Sequence, residues 1–181
     1  LPSPTLAQGY AREFEALFGG QKEGLGQPVA FALEGVEGVA YFSPRGGRLA
    51  REALLKRLSE AQREVLVAAF VLTDREVLEA LLQARRRGAE VKVLLETRNL
   101  GTSREEALLE EGLEVRQDAN PYTMHHKVML LGGTYVVTGS YNFSVRAHEV
   151  NNENLLVLKS PSLAERYRKE VLRLWEAGSP L

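Results

Sequence analysis

The sequence contains no cysteine, which removes thiolate nucleophiles, zinc–thiolate sites, iron–sulfur clusters and disulfide frameworks from consideration. The redox compartment stays open, because a cysteine-free chain folds equally well inside or outside a cell. Aspartate is scarce. Asp74 and Asp118 are the only two among 24 acidic residues, leaving 24 − 2 = 22 glutamates, so a catalytic carboxylate is expected to be a Glu. No apolar run approaches the roughly 20 residues of a membrane span, and no signal peptide is visible. Excess charge is also lacking. The 23 basic and 24 acidic side chains sum to −1, which argues against broad coating of nucleic acid but leaves room for a local basic site. What remains is 181 residues, 44% hydrophobic and 26% charged, the composition of an ordinary soluble globular protein. Such a chain buries roughly two-thirds of its unfolded surface without a covalent or metal staple. Its compartment is otherwise unassigned, export with a leader outside this sequence included.

Ser3-Pro4 reads as an N-cap followed by Pro at the first helical position, opening an amphipathic helix to about Phe18. Residues 19 to 28 carry four glycines and a proline and read as a linker. Two short strands follow, 29–33 and 38–42, then a helix from 48 to 62. The apolar runs 65–70 and 91–95 read as fully buried strands, alternating with helices at 74–87 and 104–111 and a short strand at 113–116. Alternation of this kind predicts an α/β fold, with a mixed, largely parallel sheet sandwiched by helices. Beyond Pro121, runs 124–131 and 134–139 flank Gly132-Gly133, a pair suited to a type I′ hairpin turn. A strand at 153–158 and a helix from 160 to about 175 close the chain.

Residues 1–20 match residues 158–177 at a constant offset of 157, without gaps. Leu1, Ser3, Pro4, Leu6, Ala7, Tyr10, Glu13 and Leu17 recur as Leu158, Ser160, Pro161, Leu163, Ala164, Tyr167, Glu170 and Leu174. Two unrelated Ser-Pro-capped amphipathic helices are one explanation; an internal repeat with a truncated first copy is the other, and the one adopted here. The expected organisation is then 1–18 as the tail helix of a truncated upstream module, 19–38 as linker and leading strand, and 39–177 as the main domain.

The residues able to do chemistry concentrate between Met124 and Asn154. With a two-residue Gly-Gly turn, Leu131 faces Thr134, Lys127 faces Thr138 and His125 faces Ser140. Alternation then puts His125, Lys127, Thr138 and Ser140 on one hairpin face and His126 on the other, with Asn142 just past the end. Geometry alone does not separate a reactive face from the wet side of a hairpin. A metal site is not expected, since His125 and His126 point apart and only His148, Asp118 and scattered Glu could complete one. The run Arg85-Arg86-Arg87 falls in the last turn of a helix, where cations complement the helix dipole.

His125-His126-Lys127, Gly139-Ser140-Tyr141-Asn142 and Asn152-Glu153-Asn154, in that order, resemble the HKD signature of the phospholipase D superfamily. The likeness spans roughly residues 39 to 177, on its bacterial nuclease-like branch. One position departs: Gly132 stands where the family usually carries Asp, and Gly-Gly meets the same positive-φ demand. The resemblance implies a phosphodiesterase that needs neither metal nor cofactor and works through a phosphohistidine intermediate. His125 would be the nucleophile and Glu153 the carboxylate that orients it. Lys127, Ser140 and Asn142 would bind the phosphate oxygens. It also implies a second half-site, supplied by a homodimer partner or by an upstream module. The truncated repeat favours the upstream module, making this the C-terminal half of a two-HKD protein. The expected substrate is a nucleic acid, with a diacyl phospholipid as the alternative. A catalytically silent half that only completes or dimerises with an active module is the rival of another class.

Overall fold

A computed structural model describes residues 2–181; Leu1, the first residue of the repeat, lies outside them. One nine-stranded sheet organises the chain. Its strands are β1 (Val29–Leu33), β2 (Val36–Phe42), β3 (Glu64–Ala69), β4 (Glu90–Leu95), β5 (Glu114–Gln117), β6 (Lys127–Leu131), β7 (Tyr135–Gly139), β8 (Asn154–Lys159) and β9 (Ser179–Pro180), in the spatial order β1-β2-β8-β7-β6-β3-β4-β5-β9. The helices are α1 (Pro4–Phe18), α2 (Gly47–Glu60), α3 (Arg75–Arg86), α4 (Glu105–Glu110), α5 (Val145–Glu149) and α6 (Pro161–Ala177).

The mixed α/β architecture agrees with the expectation, but the sheet is not largely parallel. Only β3–β4 and β4–β5 run parallel, and the other six neighbouring pairs are antiparallel. The physical reason lies in the connections. A parallel pair needs a crossover, and only α3 and α4 supply one between adjacent strands. β1–β2 and β6–β7 are closed by tight turns instead. Each face of the sheet has its own helical layer. α2, α3, α4 and α5 pack through residues such as Leu54, Leu81, Leu108 and Ala147 over Val65, Val93, Met129 and Val137. α1 and α6 cover the other face, placing Leu6, Val171 and Trp175 against Phe42, Leu66, Val128 and Leu130.

Local sequence accounts for the helix starts. The Oγ atoms of Ser3 and Ser160 accept from the N–H groups of Leu6 and Leu163, each with Pro at the first turn. Asp74 caps α3 by accepting from Glu76 N–H. The arginine run is spent on structure: Arg86 pairs with Glu111 at 2.9 Å, and Arg87 donates to Leu58 O.

The hairpin register differs from expectation by one residue. Gly132 and Gly133 both have positive φ, as a type I′ turn demands, and Thr134 N–H donates to Leu131 O. The ladder nevertheless closes with Leu131 opposite Tyr135, Leu130 opposite Val136 and Met129 opposite Val137. Thr134 is thus a third loop residue. A slip of one residue exchanges the faces of a strand, so Thr138 falls on the face shared by Val128, Leu130 and Val136 rather than with Lys127. Adjacent strands decide the matter. Val137 belongs to the larger core with Met129 and Leu131, while Val136 fills the other core with Leu130. The alternative register would have turned Thr138 into the larger core.

Candidate active site

Every candidate residue lies at one end of the sheet, because the antiparallel strands bring different chain segments to that edge. β3 ends there beside the start of β6, with Ala69 opposite Lys127. β7 ends there beside the start of β8, with Gly139 opposite Leu155. β6 begins at Lys127, three residues later than the sequence suggests, so His125 and His126 precede the strand; Phe70 N–H still donates to His126 O at 2.7 Å.

The centre is a three-side-chain stack that sequence reading did not anticipate. Phe70, the last residue of the apolar run, presents its ring to His125 in edge contact, centroids 4.6 Å apart. The Lys127 ammonium sits 4.7 Å from the same ring's centroid and donates to His125 O at 3.0 Å. Lys127 is 6% exposed, whereas the His125 imidazole is exposed to solvent. Burial pulls the Lys127 ammonium below the usual lysine range, and the Glu153 carboxylate opposes that pull. Lys127 and Glu153 are therefore brought within electrostatic reach of each other. Among the described residues, Glu153 accepts from Asn151 Nδ2 at 3.1 Å and makes no hydrogen bond to an imidazole.

Buried carboxylate and hydroxyl groups hold these segments in place. Glu96, at the end of β4 and 2% exposed, accepts from Met124 N–H at 2.6 Å and from Arg98 N–H at 3.2 Å. It therefore fixes the residue before His125. The sequence signal was the charged residue that directly follows an apolar strand, but only the tertiary fold shows what it grips. Ser43, after β2, accepts from Glu153 N–H at 3.2 Å and donates to Asn151 O at 2.9 Å. Ser140 Oγ accepts from Asn154 N–H at 3.0 Å, and Ser140 N–H donates to Asn154 O. Asn142 sits in a loop whose next residue, Phe143, accepts from Thr73 and Asp74 N–H, and its Oδ1 is buried without a partner. Such an orphaned polar atom beside a reactive edge is an unusual cost in a folded chain.

The other two histidines separate from this group. His126 lines a cavity of about 290 Å³ on the α6 side with Val128 and Tyr167, as strand alternation required. His148 is buried under α2, its Nδ1 3.8 Å from Asp74 Oδ2, where Arg51 also pairs with Asp74 through two hydrogen bonds.

Comparison with known proteins follows the same outline. The family described as "Cardiolipin synthase, PLD-like domain" matches residues 54–175. A mitochondrial cardiolipin hydrolase of Xenopus laevis is 35% identical over 129 residues, covering 70% of this chain and 61% of that protein. A phospholipase D of Rickettsia typhi is 32% identical over 128 residues, covering 70% and 62%. The chain thus spans about three-fifths of the length of these curated relatives. The crystal structure of Nuc from Salmonella typhimurium, a phospholipase D family member, superimposes with a TM-score of 0.73 at 28% identity, covering 86% of this chain and 99% of that one. NucT from Helicobacter pylori shares the fold, with a TM-score of 0.73 at 20% identity. Fold, extent of match and identity agree, and the chain belongs to the phospholipase D superfamily.

Proposed function

We propose that this protein is a phosphodiesterase in which His125 attacks phosphorus. The observation that carries this reading is an exposed imidazole and a buried ammonium that contact the same aromatic ring. A phosphodiester is an anion, and a cation held in a desolvated position stabilises the added charge of its transition state more than a solvated one. His125 nitrogen would bond to phosphorus as the bond to the leaving oxygen breaks, giving a phosphohistidine. Water would then displace the histidine, breaking the P–N bond and releasing a phosphomonoester. Lys127, Asn142 and Ser140 would bind the non-bridging oxygens. One Glu153 oxygen accepts from Asn151, and we assign the carboxylate the orientation of His125 in the substrate complex. The leaving oxygen needs a proton, and this chain carries one His-x-Lys. A second half-site, from a joined module or from a second copy, would supply the acid.

Nucleic acid is the substrate we favour. The site lies at the ends of the central strands β3, β6, β7 and β8, and no described helix is long and apolar enough to cross a membrane. The second reading, a phospholipid, draws on relatives named cardiolipin hydrolase and phospholipase D. The deciding experiment measures hydrolysis of bis(p-nitrophenyl) phosphate in excess EDTA, then of single-stranded DNA and of cardiolipin vesicles. Activity in chelator that His125→Ala abolishes is expected, with DNA turned over faster than lipid. Activity that magnesium or zinc must restore would overturn the mechanism. Faster cleavage of vesicles would reassign the substrate, and a folded but inert protein would place it with silent halves.

A further inference from the structure

Two helices related by the 157-residue repeat share one core-facing edge, Leu6 and Tyr10 in α1 and Leu163 and Tyr167 in α6, but bury different stripes beside it. In α6 the face toward the sheet is centred on Ala164, Arg168, Val171 and Trp175, with Leu163, Tyr167, Leu172 and Leu174 packed at its margins. Ala164, Val171 and Trp175 are buried, and Arg168 pairs with Glu64 at the start of β3. The equivalent positions in α1, at the constant offset, are Ala7, Ala11, Phe14 and Phe18. All four face solvent, with Phe14 65% and Phe18 85% exposed and their rings stacked 5.7 Å apart. α1 instead buries Leu6, Gly9, Glu13 and Ala16. Beside Leu6 and the core-packed Tyr10, this inner face carries a glycine and a buried carboxylate. A side chain at Gly9 would strike Val29, and Glu13 accepts from Leu25 and Gly26 N–H at 3.0 and 3.1 Å. An ordinary amphipathic helix points its aromatics inward; α1 does so with Tyr10, whose ring meets Phe42, but turns Phe14 and Phe18 outward.

We propose that the outer face of α1 is a docking surface for the sheet of a second module of this same fold, in which α1 takes the place that α6 takes here. The repeat identifies the occupant: Phe14 and Phe18 stand where α6 has its sheet-facing Val171 and Trp175, behind the same Ser-Pro cap. A second copy of this chain does not fit, because its corresponding sheet face is already filled by its own α6. The area argues likewise. Two phenylalanines bury about 150–250 Å² each, well short of the roughly 1,200–2,000 Å² of a free-standing interface. A patch of this size suits a module joined covalently to α1. The inference rests on the fold and the repeat and is independent of the catalytic reading.

The test grafts residues 4–20 in place of residues 161–177 in the full chain, and compares that graft with one also carrying Phe14→Ser and Phe18→Ser. The phenylalanine graft should melt cooperatively, at least about 10 °C above the serine graft. Grafts that melt together, or that both fail to fold, would overturn the proposal, because α1 would not then close this kind of sheet. In the unaltered setting, Phe14→Ser with Phe18→Ser should leave the melting temperature of the full chain within about 2 °C and its solution mass unchanged by light scattering. A larger loss of stability would show that the face packs within its own module. A dimer turned to monomer would show that a second copy is the occupant. Either result would refute the docking assignment.

Discussion

The two ends of the β6–β7 hairpin both depend on glycine, for opposite reasons. At the closed end, Gly132 and Gly133 adopt φ of 61° and 68°, and a Cβ on either would meet nothing within 4 Å. Their requirement is conformational only. At the open end, Gly139 has φ of 144°, and a Cβ there would collide with the carbonyl oxygen of Asn154. That requirement is also spatial, since the same carbonyl accepts from Ser140 and Tyr141 N–H. The chain tolerates change where it merely turns and resists it where two backbones are pressed together beside the candidate site.

Substitutions at the open end should therefore dominate. His125→Ala should lower kcat by more than about 10³-fold with an unchanged circular dichroism spectrum, because it removes the proposed nucleophile. His126→Ala, on the opposite face, should leave kcat nearly intact; equal damage from both would break the assignment of faces. Gly139→Ala should cost about 2–3 kcal/mol through strain and the clash with Asn154, read as a fall of roughly 5–10 °C in Tm. A Tm near that of the parent would erase the distinction between the two ends.

Glu96→Gln sharpens the comparison from the neighbouring strand. Its two oxygens accept from two backbone N–H groups, so the amide must turn an NH₂ toward one of them, at about 1–3 kcal/mol. Because the disturbed bond fixes Met124, kcat should fall more than KM rises. The pH profile offers a subtler check. In the proposed mechanism Lys127 serves as the cation and loses its proton as pH rises, and burial lowers its pKa. The alkaline limb of kcat/KM should lie below the ordinary lysine range, and Lys127→Arg should remove that limb from whatever activity it retains. Smallest of all, Gly132→Asp at the closed end should move Tm by no more than about 0.5 kcal/mol equivalent.

The same contrast explains what could be read from residues alone. The buried runs of β3 and β4, the cap of α3 and the Ser-Pro starts of α1 and α6 are local patterns, and each formed within a residue or two of expectation. His125 and Lys127 stand out as polar residues on one hairpin face, and it is the resemblance to the HKD signature that adds Glu153 and proposes their roles. The hairpin register could not be read, since Gly132-Gly133 is compatible with a two- or a three-residue loop, and β8 and β3 supply the packing that chooses. Phe70 and Glu96 were hidden for a related reason. A phenylalanine ending an apolar run looks like core, and nothing local shows that its ring touches both a histidine and a lysine. The short α5 and β9 escaped notice because five- and two-residue elements carry too little periodicity to register.

The segment between α1 and β1 has a consequence for distance. It is rich in glycine, yet Glu13 grips Leu25 and Gly26, Arg45 Nε donates to Gly24 O at 2.9 Å, and Asn152 Nδ2 donates to Lys22 O at 3.1 Å. A peptide fastened at these points is a strut and not a tether. A body docked on the outer face of α1 would not sample a sphere set by linker length; its effective concentration at the catalytic edge would be set by geometry. Lengthening this segment would then act less by adding reach than by releasing orientation, the quantity on which an intramolecular partner's advantage chiefly depends.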